Sequence, residues 1–389
     1  MKVEAAFGTL RRSSSVRSDL KFEDLEVVRQ LGRGSFGEVD LCRWRPGATR
    51  RDPDGIEVPR TGEVAVKTLL PTVLSDAQVR FGTRHERRPG NEAHSSLLSL
   101  PRMHCQAKID FRMEVDLLAK LHHSAIVGCV GTGVRLDPKS GLELPFVAME
   151  AVTGGDLRRL VIDAMNTPRL YSDADCLRWM HDISRGLHYL HTRSPKVIHR
   201  DLKLENVLLD ASWHAKLTDF GLVKTIALPT AHERLVHPPQ SEHETYQMTG
   251  GTGSLKYMAP ETARGIPADE KVDIYSFSII AWELWARCML LFMRHKKVGH
   301  AMVEYTPRLW AQDACQGVRP ELRDKWPEVV RTLVAECWDQ DPTKRPTAAD
   351  LMHRLEPHLE PAKYTNPAAK AAAKAAKGSA AAGGCCTLQ

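Results

Sequence analysis

The chain has 389 residues, 42% of them hydrophobic, and a formal net charge of +6. That is enough apolar material for one large domain or two lobes with a core, and a charge excess of this size names neither a nucleic acid nor a membrane as partner. Nine scattered cysteines without a zinc-type CxxC pair exclude a disulfide framework and fit a reducing, cytosolic setting.

Residues 1–21 are polar and read as a disordered tail; neither a secretory signal nor, with Lys2 in second place, N-myristoylation is expected. From Phe22 the texture changes. Leu25, Val27, Val28 and Leu31 lead into Gly32-Arg33-Gly34-Ser35-Phe36-Gly37, and Val39, Leu41 and Cys42 follow with the alternation of a strand. A GxGxxG that runs into a strand rather than a helix predicts a glycine-rich β-hairpin, whose bare backbone can approach a polyphosphate. Residues 45–62 read as a loop and 63–69 as a strand. Lys67 on that strand calls for an anionic partner, because burying a lone charge is costly. Residues 71–108 read as a long polar insertion. A helix follows, with Phe111, Val115, Leu118 and Leu121 on one face. It carries Glu114, the first choice of partner for Lys67, with Asp110 and Asp116 as alternatives. Strands over 126–134 and 145–152 complete a small, strand-rich half.

The second half reads as helical. Cys176, Met180, Ile183, Leu187 and Leu190 mark a long amphipathic helix, and further helices are predicted over 273–287, 328–338 and 347–356. The apolar run 279–293, broken by Glu283 and Arg287, reads as a buried core helix passing into a loop, too short and too charged to span a bilayer. A sheet-rich half followed by a helical half predicts two lobes with a cleft between them.

The chemistry concentrates in His199-Arg200-Asp201-Leu202-Lys203-Leu204-Glu205-Asn206 and in Asp219-Phe220-Gly221. Phosphoryl transfer needs a carboxylate to take the proton of the attacking hydroxyl, a cation near the transferring phosphate and oxygen ligands for magnesium. Asp201, Lys203 and Asn206 offer these within six residues, and Asp219 adds a carboxylate that can bridge metal and phosphates.

Taken together and in this order, these motifs resemble the eukaryotic protein kinase family over residues 22–358, with a first lobe 22–152, a second lobe 153–358 and a low-complexity tail 359–389. The resemblance implies an α+β bilobal fold, with a small antiparallel-sheet lobe carrying one main helix and a larger helical lobe. It implies ATP and Mg²⁺ as cofactors and protein substrates. Asp201, Lys203, Lys67 and Glu114 would be catalytic. Leu31, Gly32, Arg33, Gly34, Ser35, Phe36, Gly37, Val39, Ala65, Lys67, Met149, Glu150, Val152 and Asp156 would surround the nucleotide, Met149 as gatekeeper and Asp156 at the ribose. Asn206 and Asp219 would hold the metal. Ala259-Pro260-Glu261 would end the activation segment, with Arg345 the ion-pair partner of Glu261, and Asp273 would anchor the helix that follows. Lys203 after Asp-Leu, and Thr252 in Gly-Thr-Gly-Ser, are the Ser/Thr pattern, while Asp-Ile-Tyr-Ser-Phe and Glu-Cys-Trp-Asp-Gln-Asp-Pro look like the tyrosine-kinase-like group. Dual specificity and a membrane-tethered pseudokinase scaffold stay open as alternatives. Residues 288–310 depart from the family by lacking its Pro-Phe turn.

Arg200 is the family's partner for a phosphorylated activation loop, and Thr245, Thr249, Thr252 and Ser254 are the candidate regulatory positions there, which implies an upstream activating kinase. Cys386-Thr-Leu-Gln has the form of a C-terminal prenylation box, with Cys385 as a second lipid site, so the expected location is cytoplasmic with peripheral membrane association. No nucleic-acid partner is expected.

Overall fold

The computed structural model describes residues 20–34, 37–51, 57–71, 111–167, 170–221, 224–226, 254–292, 295–298 and 301–360. The chain divides into two units, one holding the residues up to Val152 together with Asp219–Leu222, the other the remainder.

The first unit is built on a six-stranded sheet. Its strands are β1 (Leu20–Lys21), β2 (Leu25–Arg33), β3 (Gly37–Trp44), β6 (Glu63–Leu69), β7 (Cys129–Leu136) and β8 (Glu143–Glu150), in the spatial order β1-β7-β8-β6-β3-β2. All neighbours are antiparallel except β1 with β7, so Leu20 and Lys21, which the sequence places in the tail, belong to the sheet. On β3, β6 and β8 residues two apart share one buried face, whereas Val27, Val28 and Leu31 of β2 are exposed. Leu25, Cys42, Trp44, Val64, Val66, Phe146 and Ala148 form one apolar cluster, closed by Leu20 of β1. β1 can lie so close because Gly133 has no side chain; a Cβ there would overlap the Leu20 carbonyl and the Phe146 ring. Residues 111–118 form the helix α1, whose Phe111, Val115 and Leu118 are buried while Met113 is exposed. The stretch 45–62 is not simply a loop: it holds the two-stranded ladder β4 (Thr49–Arg51) and β5 (Glu57–Pro59). Its Pro, Gly and Asp content masks two strands of three residues, too short to show a period.

The second unit is helical: α2 (Leu157–Asn166), α3 (Asp173–His191), α4 (Pro260–Ala263), α5 (Lys271–Ala286), α6 (Pro307–Cys315), α7 (Glu328–Cys337) and α8 (Ala348–Leu355). α3 begins at a capping box in which Ser172 and Asp175 satisfy each other's backbone N–H groups. α5 is buried along its whole length from Val272 to Ala286 and ends at Arg287 in the left-handed conformation (φ 51°). Each of its fully buried large side chains contributes roughly 1.5–3 kcal/mol. Short two-stranded ladders complete the unit: β9 (Lys196–Ile198) with β12 (Lys224–Ile226), β10 (Val207–Leu209) with β11 (Ala215–Leu217), and β13 (His295–Val298) with β14 (Ala301–Glu304). The sequence reading placed no helix over α2 or α6 and no strands at 295–304. α2 and α6 start from side-chain caps, Asp156 and Thr306, which are the local signals that mark them. No helix among the described residues is long and apolar enough to cross a membrane.

Candidate functional site

In the first unit the site is built on the sheet. The β2–β3 hairpin turns at the glycine cluster, where Gly34 N–H donates to the Gly37 carbonyl at 2.8 Å. Each glycine answers a different constraint. A Cβ on Gly37 would stand 3.0 Å from the Thr68 carbonyl oxygen, so this residue is bare because β6 runs alongside it. A Cβ on Gly32 would meet nothing within 4 Å. Among the described residues nothing in the packing requires Gly32, and the space its missing side chain leaves suits a polyphosphate. Leu31 is exposed, and Val39 lies opposite both Gly32 and Lys67 in the strand register. Ser35 and Phe36 lie outside the described residues.

Lys67 extends from β6 to Glu114 on α1, donating to both carboxylate oxygens at 2.7 and 2.8 Å, and to Asp219 Oδ1 at 3.2 Å. Burial alone would lower the lysine's pKa. The Asp219 and Glu114 carboxylates override it and hold the ammonium above the ordinary lysine value, so the cation is fixed at neutral pH. Glu114 is 4% exposed, and its burial is tolerable because both oxygens are occupied by the ammonium. Of the alternatives, Asp116 pairs with Arg112 on its own helix at 3.9 Å, and Asp110 lies outside the described residues. The Lys67–Asp219 contact was not anticipated in the sequence, where the two are far apart in the chain. Asp219 adopts φ 63°, a strained backbone for a non-glycine residue. Along β8, Met149 is buried opposite Ala65, and Glu150 accepts the Gly128 N–H at 2.9 Å, fixing the end of the strand. Val152 is partly exposed at the end of this unit.

In the second unit the segment after β9 is held from α5. Asp273, fully buried, accepts the backbone N–H of His199 at 2.9 Å and of Arg200 at 2.8 Å, and its Oδ2 also meets His191 Nε2 at 2.9 Å. Burial would raise the Asp273 carboxyl, but His191, His199 and these N–H groups hold it below the ordinary aspartate value, so it stays ionised. This pinning accompanies the positive φ of Arg200, 66°. Asp201 follows directly. Lys203 Nζ donates to its Oδ2 at 2.6 Å, and Asn206 Nδ2 donates to its carbonyl at 2.8 Å and to Oδ2 at 3.1 Å. With its nitrogen held by Asp201, the Asn206 amide has its oxygen left to offer, the hard donor that magnesium takes. Asp156 caps α2 by accepting the Arg159 N–H at 2.8 Å.

Two further anchors hold the turn Ser254–Tyr257 and the segment after it. Arg345, 1% exposed, meets Glu261 through two parallel hydrogen bonds of 2.7 and 2.8 Å. Glu283, also fully buried, accepts Lys256 Nζ at 2.8 Å, Tyr257 Oη at 2.7 Å and the Leu290 N–H at 2.8 Å. In the sequence Glu283 showed only as an interruption of an apolar run; a carboxylate inside such a run is itself the signal that buried donors must converge on it. Of the candidate regulatory residues, Ser254 opens this turn, and Thr245, Thr249 and Thr252 lie outside the described residues, as do Cys385 and Cys386.

Comparison with known proteins agrees with this arrangement. A family model described as a protein kinase domain matches residues 97–355, more than half of the chain. The serine/threonine-protein kinase VIK of Arabidopsis thaliana is 32% identical over 338 residues, covering 86% of this chain and 60% of that protein. The serine/threonine-protein kinase CTR1 of the same plant is 28% identical over 344 residues (88% of this chain, 33% of that protein), and the dual specificity protein kinase shkA of Dictyostelium discoideum is 27% identical over 300 residues (77% and 50%). The chain thus spans 60% or less of the length of these curated relatives. With a lysine clamped between two carboxylates in one unit, an Asp-Lys-Asn cluster anchored from a buried helix in the other, and a family model that matches residues 97–355, the chain belongs to the protein kinase domain family.

Proposed function

We propose that the protein is a serine/threonine-protein kinase that moves the γ-phosphoryl group of ATP to a Ser or Thr hydroxyl of a protein substrate, with Mg²⁺ as cofactor. The observation that carries this is the cluster around Asp201, where Lys203 at 2.6 Å and Asn206 at 3.1 Å hold the same carboxylate oxygen. Asp201 orients the acceptor hydroxyl and takes its proton. Lys203, with its ammonium already beside Asp201, offsets negative charge as the phosphoryl group transfers, and it is also the residue that favours Ser/Thr over Tyr acceptors. Lys67, held by Glu114, presents its ammonium to the nucleotide phosphates. The donor set suits the metal: Asn206 and Asp219 supply an amide and a carboxylate oxygen, the hard ligands magnesium prefers. Magnesium, when bound, neutralises charge on the phosphates.

The scaffold alternative requires loss of one of these groups, and Lys67, Asp201, Asn206 and Asp219 are all present. Control of the activity belongs to the same proposal: phosphate on Thr245, Thr249 or Ser254, added by an upstream kinase, orders the segment before Ala259 through Arg200. Lipid at Cys386, in the stretch Cys386-Thr-Leu-Gln, adds peripheral membrane attachment.

The test is transfer of labelled phosphate from Mg·ATP to peptide arrays carrying Ser, Thr or Tyr acceptors, wild type against Asp201→Ala. The expected loss is at least about 10²-fold, and Ser/Thr peptides are favoured over Tyr. Equal turnover by the two proteins refutes the reading.

A further inference from the structure

The sheet of the first unit has two faces, and the phosphotransfer reading uses one of them. Residues opposite each other on neighbouring strands share a face, and successive residues along a strand alternate. Val39 pairs with Lys67, so both belong to the side on which Lys67 meets Glu114 and Asp219. Glu38 pairs with Thr68, Thr68 with Phe146, and Phe146 with Gly133. Glu38, Asp40 two residues on from it, and Arg135 two residues on from Gly133 therefore share the other side.

That second side is closed by the N-terminal strap Leu20–Asp24, which consists of β1 and a single 3₁₀ turn. Leu20 belongs to the apolar cluster there, and Phe22 packs against it, edge-on to Phe146 with ring centres 5.6 Å apart. The Arg135 guanidinium stands 4.9 Å from the centre of the Phe22 ring. It also reaches two acids of β3, lying 3.5 Å from Glu38 Oε1 and 3.9 Å from Asp40 Oδ2. The side chains of the three charged residues are only 10–20% exposed, so water and salt screen them weakly.

Without the guanidinium this arrangement is unfavourable. Glu38 and Asp40 are like charges on one face of one strand. Burial, with Glu38 beside it, pushes the Asp40 carboxyl above the ordinary aspartate value, and Arg135 works against both. Arg135 thus ties β7 to β3, although β8 and β6 lie between them in the sheet. The tie falls at one place on β3: Glu38 directly follows Gly37, and Glu38 and Asp40 flank Val39.

We propose that Arg135 is a positioning residue for nucleotide binding: braced on Phe22 of the strap, it clamps the glycine-rich hairpin from behind through Glu38 and Asp40 and so fixes where Val39 stands on the opposite face. The clamp is a property of the sheet; its role toward a nucleotide rests on the phosphotransfer reading.

The experiment uses the full chain, the fluorescent nucleotide mant-ATP with Mg²⁺ for Kd, and steady-state transfer for KM and kcat. Arg135→Ala is expected to weaken mant-ATP binding about five-fold and to raise KM for ATP by the same factor, with kcat within about two-fold of wild type, because fewer molecules hold the hairpin in its binding arrangement. Arg135→Lys keeps the charge but not the fork and falls between the two; it carries the same test where circular dichroism shows the alanine variant unfolded. Phe22→Leu keeps an apolar side chain but loses the ring face, and it weakens binding less than Arg135→Ala does. Added to Arg135→Ala it has no further effect, since it acts through Arg135. Arg43→Ala removes from the same hairpin an exposed guanidinium that pairs with Glu63 at 3.0 Å, and leaves binding unchanged. Wild-type affinity in the Arg135 variants overturns the proposal, and so does an equal loss in Arg43→Ala, which would mark a general effect of charge. Amide hydrogen exchange of the nucleotide-free protein is the second readout: residues 37–41 exchange faster in Arg135→Ala than in wild type while β10–β11 is unaltered, and identical exchange in both proteins overturns the clamp. Exchange needs no nucleotide, so a wild type that fails to bind mant-ATP refutes the phosphotransfer reading and leaves the clamp to be judged by exchange.

Discussion

Arg345 is the position where a single substitution should cost most. Its guanidinium makes four hydrogen bonds: two to Glu261, one to the Lys271 carbonyl at 3.0 Å and one from Nε to the Asp339 carbonyl at 2.9 Å. Its side chain is 0% exposed, and that of Glu261 is 8% exposed. Arg345→Ala leaves a buried carboxylate without its cation and two carbonyls without a donor, a loss of about 3–5 kcal/mol. For a domain whose total stability is about 5–15 kcal/mol, that is a large fraction, and at roughly 2 °C per kcal/mol for a chain of this size it lowers Tm by about 6–10 °C. Replacing both partners, Arg345→Met with Glu261→Gln, removes the charge imbalance and should cost less than the single change. Urea unfolding followed by tryptophan fluorescence measures the cycle, and the expected coupling is at least about 2 kcal/mol. The reasoning fails if Arg345→Ala costs under about 1 kcal/mol, or if the double variant is as unstable as the sum of the single ones.

Three other outcomes follow from the geometry. Gly37→Ala forces a Cβ to 3.0 Å from the Thr68 carbonyl and should lower Tm, whereas Gly32→Ala meets nothing and should leave Tm alone while raising the KM for ATP several-fold; thermal melts and steady-state kinetics separate the two. Glu114→Gln keeps the shape of the partner but removes the charge from the 2.7 Å contact with Lys67, and kcat/KM for ATP should fall by at least ten-fold, since charge-assisted bonds are worth about 1.5–3 kcal/mol. Asp273 has a folded pKa below its unfolded value of about 3.9, so its contribution to stability is present above about pH 4 and is lost as pH falls through the folded value. Asp273→Asn should flatten that acid limb in a pH series of urea midpoints.

Much of this was legible in the sequence because it is local. The Asp201, Lys203 and Asn206 contacts lie within six residues, so the chemistry of the segment announces its own geometry. In the first unit β3 showed through the alternation around Val39 and Leu41, β6 through its β-branched run, and α3 through its helical stripe, whereas β2, read from Val27, Val28 and Leu31, is exposed beyond Leu25. The features that escaped are of two kinds. β4–β5 and β13–β14 have strands of three or four residues, shorter than any period can register. The long-range contacts, Lys67 with Asp219, His191 with Asp273 and Glu283 with Lys256 and Tyr257, join residues distant in sequence, and each partner alone resembles an ordinary surface charge. Only the environment of Asp273 and Glu283, acids inside an apolar helix, gave a warning.

Those two acids also explain why α5 is not wholly apolar. Replacing a buried ionised group by a hydrophobic one is often neutral or stabilising, so stability alone does not call for carboxylates at 273 and 283. What they supply is direction. Apolar packing against α5 would bury the loops around it but leave them free to slide, because dispersion contacts are non-directional. Asp273 instead takes two consecutive backbone N–H groups, at His199 and Arg200, and so fixes the chain immediately before Asp201. Glu283, ten residues along the same helix, takes the side chains of Lys256 and Tyr257 and fixes the turn before Ala259. One buried helix thereby carries the reference points for two segments that are separate in sequence, and each is specified by hydrogen bonds of 2.7–2.9 Å. Precise placement of a proton acceptor needs such supporting contacts more than it needs extra stability. The desolvation cost of the two carboxylates is accordingly met at the segments whose position the proposed transfer depends on.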